Sequence, residues 1–122
     1  MNRDKLTTLL LLSAMVGILI FEACNKKSPV TPDCIITDVS FSEVIVPILE
    51  DNCYGCHSGN NPSSGIPLDS YEAIKQQVAN QKLYGSIARL PGYVPMPLNK
   101  DSLPKCKINQ IKAWIDEGAN NN

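Results

Sequence analysis

The chain of 122 residues holds a single histidine, one tryptophan and two phenylalanines, and aromatics make up only 6% of it. With no second histidine and no nucleophile elbow, nothing in it suggests acid–base or nucleophilic catalysis, and its carboxylates read as helix caps and solvated faces. Charge of one sign is missing too: Lys+Arg number 11 against Asp+Glu 12, a net charge of -1. Basic residues gather only at Lys26-Lys27 and loosely around Lys105, so there is no electrostatic footprint for nucleic acid. No apolar run reaches the ~18–20 residues of a spanning helix. Nor is the chain poor enough in apolar residues, at 43%, to stay disordered. Internal repeats and alternating strand patterns are absent, which leaves one small domain built of helices and loops.

What is present begins with an address. Arg3 and Lys5 precede a 16-residue, mostly apolar stretch from Leu6 to Phe21, and Glu22-Ala23-Cys24 follows it. This is the layout of a secretory signal. It resembles a bacterial lipoprotein signal, with cleavage after Ala23 and lipidation of Cys24. Phe21 stands where that pattern usually has Leu, and Glu22 replaces a small residue. Cleavage nearby, with Cys24 a plain thiol, or an uncleaved anchor are the alternatives. The expected organisation is a signal peptide over 1–23, a flexible tether over 24–33 containing Pro29 and Pro32, and a domain over 34–122. Export implies an oxidising compartment, the periplasmic or cell-surface side of a bacterial membrane, where cysteine pairs persist as disulfides.

Ser40-Phe41-Ser42-Glu43 fits a capping box, so a helix is expected from Ser40. Phe41, Val44, Ile45, Ile48 and Leu49 continue it at helical spacing towards Cys53, with a kink at Pro47. His57 to Gly65 is all turn chemistry. Asp69-Ser70-Tyr71-Glu72 offers a second start, for a helix to about Val78, and Lys82 to Arg89 forms a third, short one. Three prolines and a glycine make Leu90 to Pro97 a stiff loop. The last helix is expected from Pro104, in its first turn, to Glu117, with Gly118 as the stop and Ile108, Ile111, Trp114 and Ile115 on one face. The expected class is all-α, about four helices with long loops.

Cys53-Tyr54-Gly55-Cys56-His57 is the C-x-x-C-H pattern of c-type haem attachment. Two thiols one helical turn apart reach the two vinyl groups on one edge of the macrocycle, and the adjacent histidine is directed at the iron. A thioredoxin-like redox pair would need a βαβ setting, and a zinc site would need two further ligands. A disulfide within C-x-x-C is the remaining alternative. Met96 is the only methionine beyond the signal and sits between Pro95 and Pro97. It is the candidate sixth iron ligand, with gap-filling in the core as the alternative. Ligation by His57 and Met96 would raise the reduction potential and leave no open coordination position. With Cys24 assigned to lipid and Cys53 and Cys56 to haem, Cys34 and Cys106 remain as a disulfide pair or as two free thiols. A bond between them would close a span of about 73 residues, worth about 4 kcal/mol on chain-entropy grounds.

These phrases in this order make residues 40–118 resemble class I cytochrome c, and most closely the short, lipoprotein-type cytochrome c domains of Bacteroidetes and Planctomycetes. The phrases are Phe41 to Leu49, Gly65 to Tyr71, Met96-Pro97, and Ile108 through Trp114-Ile115 to Ala119. The resemblance implies a cytochrome c-like fold wrapped around one haem, with the first and last helices crossing beside its edge. It departs where many class I cytochromes have a glycine and an aromatic before the motif, for these positions hold Ile45 and Leu49. It also implies a main-chain carbonyl that accepts the other N–H of the iron-ligating histidine, and the Ile66-Pro67 stretch is the candidate. Arg89 and Tyr93 are candidates near the propionates, with solvated or packed roles as alternatives. For Trp114, core packing stands equally beside a role at the haem.

The expected function is that of a membrane-tethered, monomeric carrier of single electrons between redox partner proteins, not itself an enzyme. The rival is a haem enzyme or a gas or peroxide sensor in which Met96 is displaced. A third reading is a docking module whose haem only supports the fold. Net charge near zero predicts weak electrostatic steering towards any partner.

Overall fold

The computed structural model describes residues 34–122. The expected signal over 1–23, the lipidation site Cys24 and the tether over 24–33 lie outside the described residues. Among the described residues every regular element is helical, so the class is all-α. None of these helices is long and apolar enough to cross a membrane.

The first helix starts at Ser40, whose Oγ accepts the Glu43 N–H at 3.2 Å. It does not start as an α-helix. Phe41–Ile45 is a π-helical turn, with the Ile45 and Val46 N–H groups reaching back five residues to the Ser40 and Phe41 carbonyls. At the position where a kink is expected, just before Pro47, the helix changes from this widened turn to α-helix. Proline has no N–H to give and its ring crowds the carbonyl four residues earlier; a turn wound one residue looser just before it relieves both. Helix α1 (Val46–Asn52) then carries Pro47 in its first turn, where a missing donor costs nothing. Cys53 leaves helical geometry, yet its carbonyl still accepts the His57 N–H at 2.9 Å, and α2 (Tyr54–His57) follows directly.

Helix α3 (Tyr71–Ala79) is capped by Ser70, whose Oγ accepts from the Ala73 N–H. Helix α4 (Lys82–Ile87) follows after Gln81 in left-handed conformation. A long loop leads to α5 (Lys105–Asp116), with Pro104 at its N-cap, one position before the expected first turn. Gly118, at φ +102°, ends it as expected: the Gly118 N–H bonds the Ile115 carbonyl and the Ala119 N–H the Trp114 carbonyl. That crossed pair is the Schellman stop, and it needs a residue at ease with positive φ.

The core lies where the first helix meets α5. Ile45, Leu49 and Ile111 are fully buried, and Phe41 stacks on Trp114 at 5.4 Å while meeting the Tyr71 ring edge-on at 5.2 Å. The large aliphatic side chains at positions 45 and 49 are thus accommodated inside the cluster, together with Ile48, Ile74, Leu83 and Ile87. Trp114 is a core residue whose Nε1 donates to the Asn120 carbonyl at 2.8 Å.

The entry to the first helix is tied to the exit from the last. The Glu117 carboxylate accepts the Asp38 and Val39 N–H groups at 2.9 and 3.0 Å. Asn122 takes the Phe41 N–H on Oδ1 at 2.8 Å and the Ser42 N–H on its main-chain oxygen at 3.0 Å. The Phe41 and Ser42 N–H groups are ones that the first turn cannot satisfy internally. At the opposite end of α5, Cys34 and Cys106 are joined by a disulfide with Cα atoms 5.6 Å apart. Replacing both cysteines by serine should lower the unfolding free energy by up to about 4 kcal/mol, read as a lower urea midpoint. An unchanged midpoint would show that the Glu117 and Asn122 contacts alone hold the ends together.

Candidate functional site

Cys53, Cys56 and His57 lie on the short continuation of the first helix. The Cys56 and His57 N–H groups both reach the Cys53 carbonyl, at 3.1 and 2.9 Å, so the two thiols stand one turn apart and the imidazole follows immediately. Both thiols are free; Cys53 is half-buried and Cys56 exposed. Burial, reinforced by the neighbouring Cys56, pushes the Cys53 thiol up from the ordinary 9.0 to about 11. The shift extends the pH range over which it stays a neutral thiol.

The imidazole of His57 is held from the far side of a loop. Its Nδ1 lies 2.9 Å from the Ile66 carbonyl oxygen. A carbonyl only accepts, so in the neutral ring the proton sits on Nδ1 and the lone pair on Nε2. The acceptor is one of the two residues the sequence suggested. Its position follows from how residues 58–69 close on themselves. Leu68 is buried in the core and donates its N–H to the His57 carbonyl at 2.6 Å. Asp69 does not cap α3, as its place in the sequence suggests; its carboxylate accepts the Gly59 N–H at 2.7 Å and straps the loop shut. Ser58 Oγ meanwhile donates to the Tyr54 carbonyl at 2.6 Å, occupying an acceptor left over at the helix end. His57 is thus gripped at both main chain and ring.

Met96 is presented by a different part of the fold. It is half-buried in the proline loop, and its N–H donates to the Ser86 carbonyl of α4 at 3.0 Å. Of the two residues suggested near a propionate, Arg89 is exposed and its Nη2 donates to the Lys100 carbonyl at 2.6 Å, which closes the base of this loop. Tyr93 is half-buried, its ring laid against Gly85. The structure therefore gathers Cys53, Cys56, His57 and Ile66 in one place and carries Met96, Arg89 and Tyr93 on a loop docked to α4. Two shallow clefts, of about 320 and 330 Å³, flank α5; neither is lined by the cysteines, His57 or Met96.

Chemically, the segment offers two thiols able to form covalent bonds and one nitrogen lone pair able to form a coordinate bond. Among the described residues no three His, Cys, Asp or Glu side chains are clustered as a zinc site needs. Nor is there a strand for a thioredoxin-like setting. Asp69 and Gly85 were not singled out by sequence; the first looked like a cap, and the only signal for the second is a glycine inside a helical pattern. Comparison with protein-family models, curated proteins and solved structures gives no match.

Two outcomes are expected in the chain before any group is attached. Nitrogen NMR of neutral His57 should show the Nδ1-protonated tautomer, and a ring exchanging between tautomers would contradict the Ile66 contact. Alkylation of Cys53 near pH ~8 should run about a hundredfold slower than for an ordinary thiol and rise about tenfold per pH unit towards its pKa. Fast labelling of Cys53 would show that its burial is not maintained in solution.

Proposed function

We propose that this protein is a c-type cytochrome of the cytochrome c-like fold, which carries single electrons between redox partner proteins and is not itself an enzyme. The observation that carries the reading is the His57 ring, oriented by the Ile66 carbonyl so that Nε2 keeps its lone pair, directly after two free thiols one turn apart. Cys53 and Cys56 would supply the thioether sulfurs, and His57 Nε2 and the Met96 sulfur would be the protein's ligands to the iron. Haem c, when bound, supplies a one-electron Fe(II)/Fe(III) couple. The Ile66 acceptor keeps the ring from rotating and makes the ligating nitrogen more electron-rich. Leu68 and Asp69 hold that acceptor in place through the closed loop. The thioethers would keep haem from being lost from this small domain, and a thioether ligand raises the potential.

The signal-like N-terminus, with Cys24 as lipidation site, supports export and tethering to a membrane surface, where covalent haem and the Cys34–Cys106 bond are both at home. The test is expression with a haem-attachment system, followed by absorption spectra, a pyridine haemochrome and carbon monoxide addition. Covalent haem, the weak near-infrared methionine–iron band and inertness to carbon monoxide are expected. Met96→Leu should lose that band, lower the potential and admit carbon monoxide. A wild-type spectrum that is high-spin, or shifts promptly with carbon monoxide, would replace the carrier by an enzyme or sensor. Absence of covalent haem would overturn the reading altogether.

A further inference from the structure

A methionine ligand is placed only as firmly as its loop is fixed. Between Leu90 and Pro97 that loop is tied to two successive residues of α4: the Leu90 N–H bonds the Gly85 carbonyl at 2.9 Å, and the Met96 N–H bonds the Ser86 carbonyl at 3.0 Å. A third tie is steric. Gly85 is buried inside α4, and a Cβ built on it would fall well within contact distance of Tyr93 Cγ, Cδ1 and Cε1. Any side chain there would have to push the ring off the helix.

Glycine inside a helix costs about 1 kcal/mol relative to alanine, and Gly85 has no positive φ to justify it. What its bareness permits is the seating of Tyr93, three residues before Met96. Tyr93 in turn donates its N–H to the Leu90 carbonyl at 3.2 Å, so the ring, the turn and the Met96 anchor form one rigid path. Building on the ligand role given to Met96 above, we infer that Gly85 and Tyr93 are positioning residues: the ring seated on the bare face of α4 sets the height at which the loop carries the Met96 sulfur. The ring and not the hydroxyl does this, since the contact runs through ring carbons.

The test uses the full-length, haem-loaded protein and its Gly85→Ala, Tyr93→Leu and Tyr93→Phe variants, with helical circular dichroism as the check of folding. Gly85→Ala and Tyr93→Leu should cut the methionine–iron band to less than half. They should also raise the carbon monoxide association rate of the reduced protein about tenfold, as the methionine-dissociated population grows. Exchange of the Met96 amide should quicken in the same two variants, with or without haem. Tyr93→Phe should match wild type in all three readouts. Should the alanine variant fail to fold, Tyr93→Leu, which opens space instead of filling it, still decides. A folded Tyr93→Leu protein with wild-type band and rate would overturn the inference, as would loss of the band in Tyr93→Phe, which would assign the role to the hydroxyl. A wild-type protein lacking the band would instead defeat the Met96 reading on which the inference rests.

Discussion

The Ile66 carbonyl can accept a hydrogen bond and never donate one, and the rest of the site is arranged around that asymmetry. Facing Nδ1 of the only histidine, it decides which nitrogen keeps the proton and which stays available. The carbonyl cannot hold that position by itself, because a loop of polar and glycine residues has no reason to come back to its own start. Leu68 gives it one: burying an aliphatic side chain in the core is worth about 2 kcal/mol, and its N–H then meets the His57 carbonyl. The strap from Asp69 to Gly59 completes the closure with a charge-assisted bond. Hydrophobic burial sets where the chain returns, and hydrogen bonding sets how the ring faces once it has.

A second constraint acts at the scale of the whole domain. Segments far apart in sequence satisfy each other's exposed main-chain groups: Glu117 and Asn122 serve donors between Asp38 and Ser42, while Lys75 and the Tyr71 hydroxyl reach the carbonyls just past the end of α5. A domain of this size has little core to spend on disorder at its ends. Its first helix is accordingly finished by residues that follow its last one, around the Phe41, Tyr71 and Trp114 rings.

Much of this was legible because it is local. Ser40, Ser70 and Gly118 mark helix limits through side chains or φ values that act within a few residues, and three prolines so close together between 91 and 97 leave no room for a helix interior. Spacing alone placed Cys53, Cys56 and His57 on one turn, and counting left Cys34 and Cys106 for each other. What was not legible depends on the fold having closed. Asp69 looks like a cap until Gly59 arrives beside it. The π-helical turn before Pro47 is one of two ways to relieve a proline, and sequence names the problem without choosing the answer. Gly85 is silent until the Tyr93 ring is laid upon it. Asp69 and Gly85 meet partners only ten and eight residues away, but across loops whose path no helical or strand period gives.

The position of the Cys34–Cys106 bond has a mechanical meaning. It lies at the beginning of the described residues, upstream of every helix among them, and it ends in the first turn of the last one. Tension arriving along the backbone from residues before Cys34 therefore divides there, and the crosslink carries load straight into α5 across a gap of a few ångströms. The first helix, the histidine loop and the Met96 loop all lie within the bypassed stretch of chain. A pull on the N-terminal side would strain the crosslink and α5 before it could draw out the segment that holds Cys53, Cys56 and His57.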